Sequence, residues 1–256
     1  NIKEIILIED EKVKKIIIRL FILIVIFFHS NSVISQNLEK NFQKQHKDMV
    51  QTILWHSSML GSQNIEISEE VLKAIRNVPR HKFVPQKLVE YAYKDRPLAI
   101  GFGQTISQPF IVALMTELLN VNDTSVVLEI GTGSGYQAAI LAEMGANVYS
   151  VEIIPELAKQ ASKVLNILYP EIKLRVGDGY FGWKEYAPFD GIIVTAAVDH
   201  IPEPLTRQLK AGGKIVIPIG SPYTVQELVV VEKKINGDFI LHQILPVRFV
   251  PLTGDR

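Results

Sequence analysis

The sequence predicts an α/β fold, with a doubly wound, mostly parallel sheet, antiparallel strands near the C-terminus and a helical segment near the N-terminus. Three observations support this prediction. From residue 121 onward, short apolar runs alternate with helical stretches, which is the pattern of a parallel sheet covered by helices. A glycine-rich turn follows the first of these runs. Two later runs flank the residues Asn236-Gly237-Asp238, which are typical of a β-hairpin.

The composition is that of an ordinary globular protein with one main core. The chain has 256 residues, of which 47% are apolar and 21% are charged. Its 27 basic and 27 acidic side chains give no net charge, which disfavours nucleic acid as a partner because phosphate binding normally needs a basic excess. The sequence has no cysteine, which excludes disulfides and thiolate nucleophiles. The six histidines are scattered, so we expect no metal site.

The N-terminal residues have the order of a targeting segment. Three lysines between residues 12 and 15 precede the apolar run 16–28, which is interrupted by Arg19 and followed by small polar residues. The uninterrupted part, residues 20–28, is too short to cross a bilayer unaided. We therefore expect a signal peptide within residues 1–36 and an exported or periplasmic protein. A retained membrane anchor is one alternative, and a cytoplasmic protein that buries this stretch is another.

Helices are predicted between this segment and the α/β part. Apolar residues at loosely helical spacing indicate an amphipathic helix over residues 37–60. Ser68 is expected to cap a second helix that Pro79 ends. Residues 91–109, rich in glycine, proline and aromatic side chains, suggest a structured loop, and 110–119 a further helix. The chain is thus divided into a signal peptide or N-terminal anchor at 1–36, a helical segment at 37–120 and an α/β core at 121–256.

The α/β core shows the alternation in regular form. The expected strands are 125–130, 147–152, 172–178, 189–197 and 211–220, and the expected helices are 136–145, 155–168 and 202–209. A hairpin over 225–249 would add antiparallel strands at one edge. In sheets of this kind, ligands bind beyond the carboxyl ends of the strands, at the switch point.

The glycine turn lies in the stretch VLEIGTGSGY, residues 127–136. Gly131, Gly133 and Gly135 let the backbone pass close to a ligand, and the helix that follows presents free amides. A dinucleotide fingerprint would place its third glycine where Tyr136 stands. The pattern therefore fits a nicotinamide cofactor poorly. A tight turn without a ligand is the alternative.

Three acidic residues lie at the ends of successive predicted strands. Glu129 precedes the glycine turn inside an apolar strand, where a cationic ligand group would satisfy it. Glu152 ends the next strand, where an acidic side chain can accept the hydroxyls of a ribose. Asp178 ends the third strand, within reach of an adenine amino group. Together they favour a ligand with a sulfonium, an ammonium, a ribose and an adenine.

Several motifs resemble those of a known family. VLEIGTGSGY, GDGY and LKAGGKIVIPIG resemble the motifs of S-adenosylmethionine-dependent methyltransferases with a Rossmann-like fold. VPRHKFVP, GQTISQP, IPEPLTRQLKAGGKIVIPIG and RFVPLTG are similar to the protein-L-isoaspartate O-methyltransferase family, and the resemblance runs from about residue 78 to residue 254. It implies methyl transfer from S-adenosylmethionine to the α-carboxylate of L-isoaspartyl residues in damaged proteins. The ester then forms a succinimide, which begins repair.

The resemblance also implies roles for individual residues. Ser107 takes the catalytic position, in contact with the substrate, and Val250 would contact the isoaspartyl backbone. The residues implied to bind the donor are Pro109, Phe110, Glu129, Gly131, Thr132, Gly133, Gly135, Glu152, Asp178, Gly179 and Thr253. An isoaspartyl α-carboxylate is already ionised at neutral pH and needs no general base, so Ser107 is expected to orient the substrate by hydrogen bonding.

Other functions stay open at this point. No Gly-x-Ser-x-Gly elbow surrounds Ser107, which argues against a serine hydrolase. The alternatives are a methyltransferase for another acceptor and a non-catalytic binding module of the same fold in the cell envelope. For the enzyme we expect isoaspartyl proteins and peptides as partners, no nucleic acid, membrane contact only through the N-terminal segment, and a monomer.

Overall fold

A computed structural model describes residues 11–61, 65–221 and 224–254. Two compact units divide between Gln45 and His46, within helix α1 (Glu11–Met59). In the first unit, every described side chain from Lys15 to Val25 is exposed. No helix among the described residues is long and apolar enough to cross a membrane. Residues 1–10 of the expected signal peptide lie outside the described part of the chain.

The second unit begins with the last turns of α1, whose residues Met49, Val50 and Ile53 are buried. Helix α2 (Glu69–Asn77) follows, and the Ser68 hydroxyl accepts a hydrogen bond from the Val71 amide at 3.5 Å. The predicted cap is confirmed, and the helix ends before Pro79 as expected. Two short 3₁₀ turns then lead to residues 91–109, the predicted structured loop that contains Ser107.

The prediction of a loop over residues 91–109 was partly wrong. The structure has an antiparallel hairpin of β1 (Leu98–Gly101) and β2 (Gln104–Ile106) in this region. Leu98, Ile100 and Ile106 are buried, so buried and exposed side chains alternate as in other strands. The two strands have only four and three residues. Gly101, the last residue of β1, and both residues of the turn, Phe102 and Gly103, have positive φ.

The main sheet has seven strands in the order β5-β4-β3-β6-β7-β8-β9. Its strands are β3 (Val126–Ile130), β4 (Asn147–Glu152), β5 (Lys173–Val176), β6 (Phe189–Val194), β7 (Leu209–Ile219), β8 (Gln226–Lys233) and β9 (Phe239–Val247). The helices around it are α3 (Pro109–Leu119), α4 (Tyr136–Glu143), α5 (Pro155–Leu168) and α6 (Glu203–Gln208). Strands β3 to β7 are parallel, and β8 and β9 are antiparallel. The predicted fold class is confirmed.

The core lies along the central strands. Leu128, Ile192 and Ile215, one on each of β3, β6 and β7, are completely buried in the same apolar cluster. Such strands are apolar because helices cover both faces of a parallel sheet. The chain passes from β3 outward to β5 and then returns to β6 on the other side of β3. The switch point of the sheet therefore lies between the carboxyl ends of β3 and β6.

Candidate active site

The glycine turn follows β3 at this switch point. Gly131, Gly133 and Gly135 have φ of +93°, +53° and +87°, a region that favours glycine. A Cβ on Gly131 would lie 2.5 Å from the Thr195 hydroxyl, so the position has no room for a side chain. The Thr195 hydroxyl donates to the Gly131 carbonyl at 2.6 Å. This contact joins the turn to the end of β6.

Glu152 holds the glycine turn from the end of β4. Its side chain is buried, and its two carboxylate oxygens accept the Gly133 amide at 2.7 Å and the Ile154 amide at 2.9 Å. Each oxygen keeps capacity for a second hydrogen bond. The carboxylate lines the cleft over the turn, so it can still accept the ribose hydroxyls expected of it. That role stays a prediction.

Glu129 is completely buried beneath the turn. The Ser150 hydroxyl donates to one carboxyl oxygen of Glu129, and Ser150 lies 2.5 Å from the Thr132 hydroxyl. The other oxygen, Oε1, makes no hydrogen bond of regular geometry among the described residues, although the Ala138 amide lies close enough to the carboxyl group to lower its pKa. Burial raises the pKa of Glu129 to about 8, helped by the charge of Glu152 and opposed by the Ser150 hydrogen bond. The group is therefore protonated at neutral pH unless a cation lies beside it.

Asp178 and Gly179 follow the end of β5. The Asp178 carboxylate accepts the Tyr180 amide at 2.9 Å and so caps a short 3₁₀ turn. Gly179 lines the cleft, and a Cβ there would overlap the Ile130 side chain. The three acids thus lie at or just after the carboxyl ends of three neighbouring strands, as the sequence indicated.

The cleft over the glycine turn is bounded by the ends of β3, β4 and β6 and by the C-terminal segment. Of the residues predicted to bind donor or substrate, it is lined by Gly131, Gly133, Glu152, Gly179, Val250 and Thr253. Its enclosed volume is about 50 Å³, so most of a nucleoside would lie in its open part. Gln104 and Thr105 of the hairpin also line it.

A second cavity of about 400 Å³ adjoins this cleft. Ser107 lines it, together with residues of the segment from Pro246 to Val250. Thr105, Thr195 and Val250 line both cavities and form a common wall. Thr195 is not among the site residues predicted from the sequence, although its place just after β6, at the switch point, was a usable signal.

Pro109 and Phe110 line neither the cleft nor the second cavity. Both are buried in the first turn of α3, and the Phe110 ring lies 4.9 Å from the ring of His56. The geometry gives them a packing role, and their expected contact with the donor stays a prediction. Within the described ranges, no three acidic, histidine or cysteine side chains are grouped as metal ligands would be.

A comparison with models of protein families matches residues 48–256 to Protein-L-isoaspartate(D-aspartate) O-methyltransferase (PCMT). The chain belongs to this family. It is 59% identical over 189 residues to Protein-L-isoaspartate O-methyltransferase 2 of Syntrophobacter fumaroxidans, an alignment that covers 73% of this chain and 76% of that one. It is 48% identical over 237 residues to Protein-L-isoaspartate O-methyltransferase 2 of Shewanella sediminis, covering 92% and 94%.

The solved structures give the same result. A PCMT from Plasmodium falciparum in complex with S-adenosyl-L-homocysteine superposes with a TM-score of 0.68 at 28% identity, covering 81% of this chain and 98% of that one. Family membership confirms the predicted fold, donor and reaction. The chain is an S-adenosylmethionine-dependent methyltransferase that acts on isoaspartyl residues in protein repair.

Proposed function

We propose that the isoaspartyl side chain occupies the 400 Å³ cavity beside Ser107, while the donor lies in the cleft over the glycine turn. The observation that carries this proposal is the wall shared by the two cavities. Thr105, Thr195 and Val250 each line both. A methyl group held at this wall can be reached from the acceptor side without crossing the protein interior.

The residues of the cleft suit the expected donor. S-adenosylmethionine supplies, when bound, an electrophilic methyl group on a positively charged sulfur. Glu129 offers a buried oxygen that makes no hydrogen bond of regular geometry among the described residues, and Glu152 offers free acceptor capacity at the cleft wall. Acidic groups of this kind favour cations and hydroxyls, and they disfavour phosphates. Gly179 brings the backbone close to the adenine side of the cleft.

For this acceptor, the protein accelerates the reaction mainly by positioning the reactants and excluding water. The isoaspartyl α-carboxylate is ionised at neutral pH, so no side chain has to remove a proton. One carboxylate oxygen forms the new bond to the methyl carbon while the bond from that carbon to sulfur breaks, and the two opposite charges disappear. A pocket with little water favours such a step. Ser107 would hold the carboxylate by a hydrogen bond.

Matched peptides test the acceptor. We expect methyl transfer to a peptide with one isoaspartyl residue and none to the same sequence with aspartyl, measured with labelled S-adenosylmethionine. Titration calorimetry with S-adenosylhomocysteine serves as the control for an intact donor site. Equal transfer to both peptides would show that the acceptor is another carboxylate. Donor binding without transfer to either would point to a different acceptor class.

We also propose that residues 1–36 form a signal peptide and that the enzyme is exported. The order of basic, apolar and polar residues supports this, as does the family match, which begins only at residue 48. Fractionation of expressing cells, with N-terminal sequencing of the mature chain, tests it. We expect a periplasmic or secreted chain that begins near residue 37. An uncleaved membrane-bound chain would support the anchor instead, and an uncleaved cytoplasmic one would refute both.

We propose, finally, that the enzyme is a monomer in contact with its protein substrates alone. Thr105, Thr195 and Val250 line both cavities, which supports this because donor and acceptor can meet within one copy of the chain. Light scattering after size-exclusion chromatography gives the mass directly. A dimer at micromolar concentration would contradict the proposal.

A further inference from the structure

We propose that Arg80 and Asp95 form a clamp that fixes the backbone around Ser107, so that both are positioning residues for methyl transfer. This inference rests on the proposed role of Ser107. Neither residue lines the donor cleft or the acceptor cavity. Arg80 contacts the carbonyl of Ser107, and Asp95 contacts Gln108 and Phe110, so both bind the segment 107–110 (the Ser107 loop).

Arg80 binds the Ser107 loop from the protein interior. Its side chain is completely buried, and its guanidinium donates from Nε to the Ala92 carbonyl at 2.8 Å and from Nη2 to the Ser107 carbonyl at 2.6 Å. A fork of this kind fixes two backbone groups relative to each other, because the guanidinium is planar and rigid. The orientation of the peptide that follows Ser107 is therefore set by a buried side chain 27 residues away.

The same guanidinium contacts the helix that follows the glycine turn. Its central carbon lies 4.7 Å from the centre of the Tyr136 ring, and Tyr136 is the first residue of α4. Burial lowers the pKa of Arg80, whereas the Tyr136 hydroxyl and the Asp95 charge raise it. Arginine stays protonated in proteins, so the fold keeps a positive charge in its interior, which costs free energy. The hydrogen bonds of Arg80 to Ala92 and to the Ser107 loop account for its buried position.

Asp95 binds two of the residues that follow Ser107. Its side chain is 8% exposed, and its two oxygens accept the Phe110 amide at 2.9 Å and the Gln108 side-chain amide at 2.7 Å. His56 Nε2 lies 3.0 Å from the second oxygen. Gln108 stands at the N-cap position of α3 but makes no side-chain cap of its own. Asp95 therefore supplies the cap from outside the helix.

The hairpin separates the clamp from the donor cleft. Thr105, which lines the cleft, pairs with Ala99, and Ile106 pairs with Leu98. Loss of the clamp should thus move the backbone from Ser107 to Phe110 and leave Thr105 in place. A shift of about 1 Å at a reacting group can cost about 100-fold in rate. The clamp should therefore affect kcat much more than donor affinity, because Pro109 and Phe110, the predicted donor residues that would move, line neither the cleft nor the acceptor cavity.

Asp95→Ala and Asp95→Asn form a matched pair. The asparagine keeps an acceptor for the Phe110 amide, and rotation of the Gln108 amide restores the second hydrogen bond. We expect Asp95→Ala to lower kcat about 10- to 100-fold with the Kd for S-adenosylhomocysteine within about twofold, and Asp95→Asn to recover most of the rate. Unchanged kcat in the alanine variant, or an equal loss in both, would overturn the clamp.

A double variant tests whether the effect passes through Ser107. In a Ser107→Ala background, adding Asp95→Ala should cost much less than it does in the wild type, because the group being positioned is already absent. Additive losses would refute the inference. Arg80→Lys keeps the charge but cannot bond both carbonyls, and we expect roughly a 10-fold fall in kcat. If Asp95→Ala does not fold, the kcat of Arg80→Lys tests the clamp in its place.

Amide hydrogen exchange gives a readout that does not depend on the acceptor. The Phe110 amide should exchange faster in Asp95→Ala than in the wild type and in Asp95→Asn. If the wild-type enzyme failed to methylate the isoaspartyl peptide, the proposed acceptor would be wrong, and the exchange result would still decide the clamp. Unchanged exchange at Phe110 in Asp95→Ala would refute it.

Discussion

The Glu152 carboxylate accepts the Gly133 amide at 2.7 Å and thereby joins the end of β4 to the turn after β3. Its second oxygen accepts the Ile154 amide at 2.9 Å. One buried acid thus fixes two backbone segments that line the donor cleft. Because hydrogen bonds to a charged group are stronger than neutral ones, the shape of the cleft depends on this side chain even before it contacts a ribose.

Glu152→Gln should weaken the donor site and the fold together. A glutamine has one acceptor oxygen, so it can satisfy only one of the two amides and places an NH₂ group against the other. We expect a loss of about 1–3 kcal/mol in the free energy of unfolding and a Kd for S-adenosylhomocysteine raised about 10-fold or more. Denaturant titration and calorimetry measure the two. An unchanged Kd would refute the placement of the donor against Glu152.

Glu129 should make the wild-type protein lose stability as the pH rises. Its folded-state pKa of about 8 lies above the ordinary value of 4.5 for a glutamate, so the folded protein binds the proton more tightly than the unfolded chain does. The free energy of unfolding therefore falls between about pH 4.5 and 8, by roughly a few kcal/mol. Glu129→Gln cannot titrate and should remove this dependence. Parallel stability curves for the two proteins across this window would contradict the prediction.

Gly179→Ala should disturb the junction between β5 and β3. An added Cβ would overlap Ile130 at the end of β3, and overpacking in a filled core costs about 1–3 kcal/mol. Gly177→Ala is the matched control, because the nearest atom to its Cβ would be Arg175 Nε at 3.6 Å. We expect only the first variant to lower the midpoint of thermal unfolding and to weaken donor binding. Equal effects would show that the glycines matter through chain flexibility instead.

The main sheet could be predicted from the sequence because its central strands are buried on both faces. Leu128, Ile192 and Ile215 lie in apolar runs that a parallel sheet requires. The strands of the hairpin have four and three residues, and the segment from Leu98 to Ile106 contains two glycines and a polar pair, so the alternation was hidden by loop-like composition. Strand β5 also has only four residues and was predicted, because it lies within the regular alternation of strands and helices.

The site residues also form two groups, those that the sequence predicted and those that it did not. The glycine turn and the acids near the ends of β3, β4 and β5 could be predicted, because each lies close to the carboxyl end of a strand whose place is fixed by topology. Arg80 and Asp95 could not, since they contact the loop across 27 and 13 residues through a backbone carbonyl and a side-chain amide. No local pattern distinguishes a buried arginine that binds a carbonyl from one on the surface.

Ser107→Ala tests whether this hydroxyl orients the acceptor. Ser107 lines the acceptor cavity and a small cavity that it shares with Glu129, Gly131 and Thr132, so we expect kcat to fall about 100-fold or more, as for the loss of one positioned donor, with a much smaller change in donor affinity. An orienting hydroxyl does not titrate near neutral pH, and the acceptor carboxylate is already ionised. The rate in both proteins should therefore show no acidic limb, that is, no loss of rate as the pH falls through an apparent pKa between about 6 and 7. Such a limb in the wild type, lost in Ser107→Ala, would identify Ser107 as a nucleophile activated by a base.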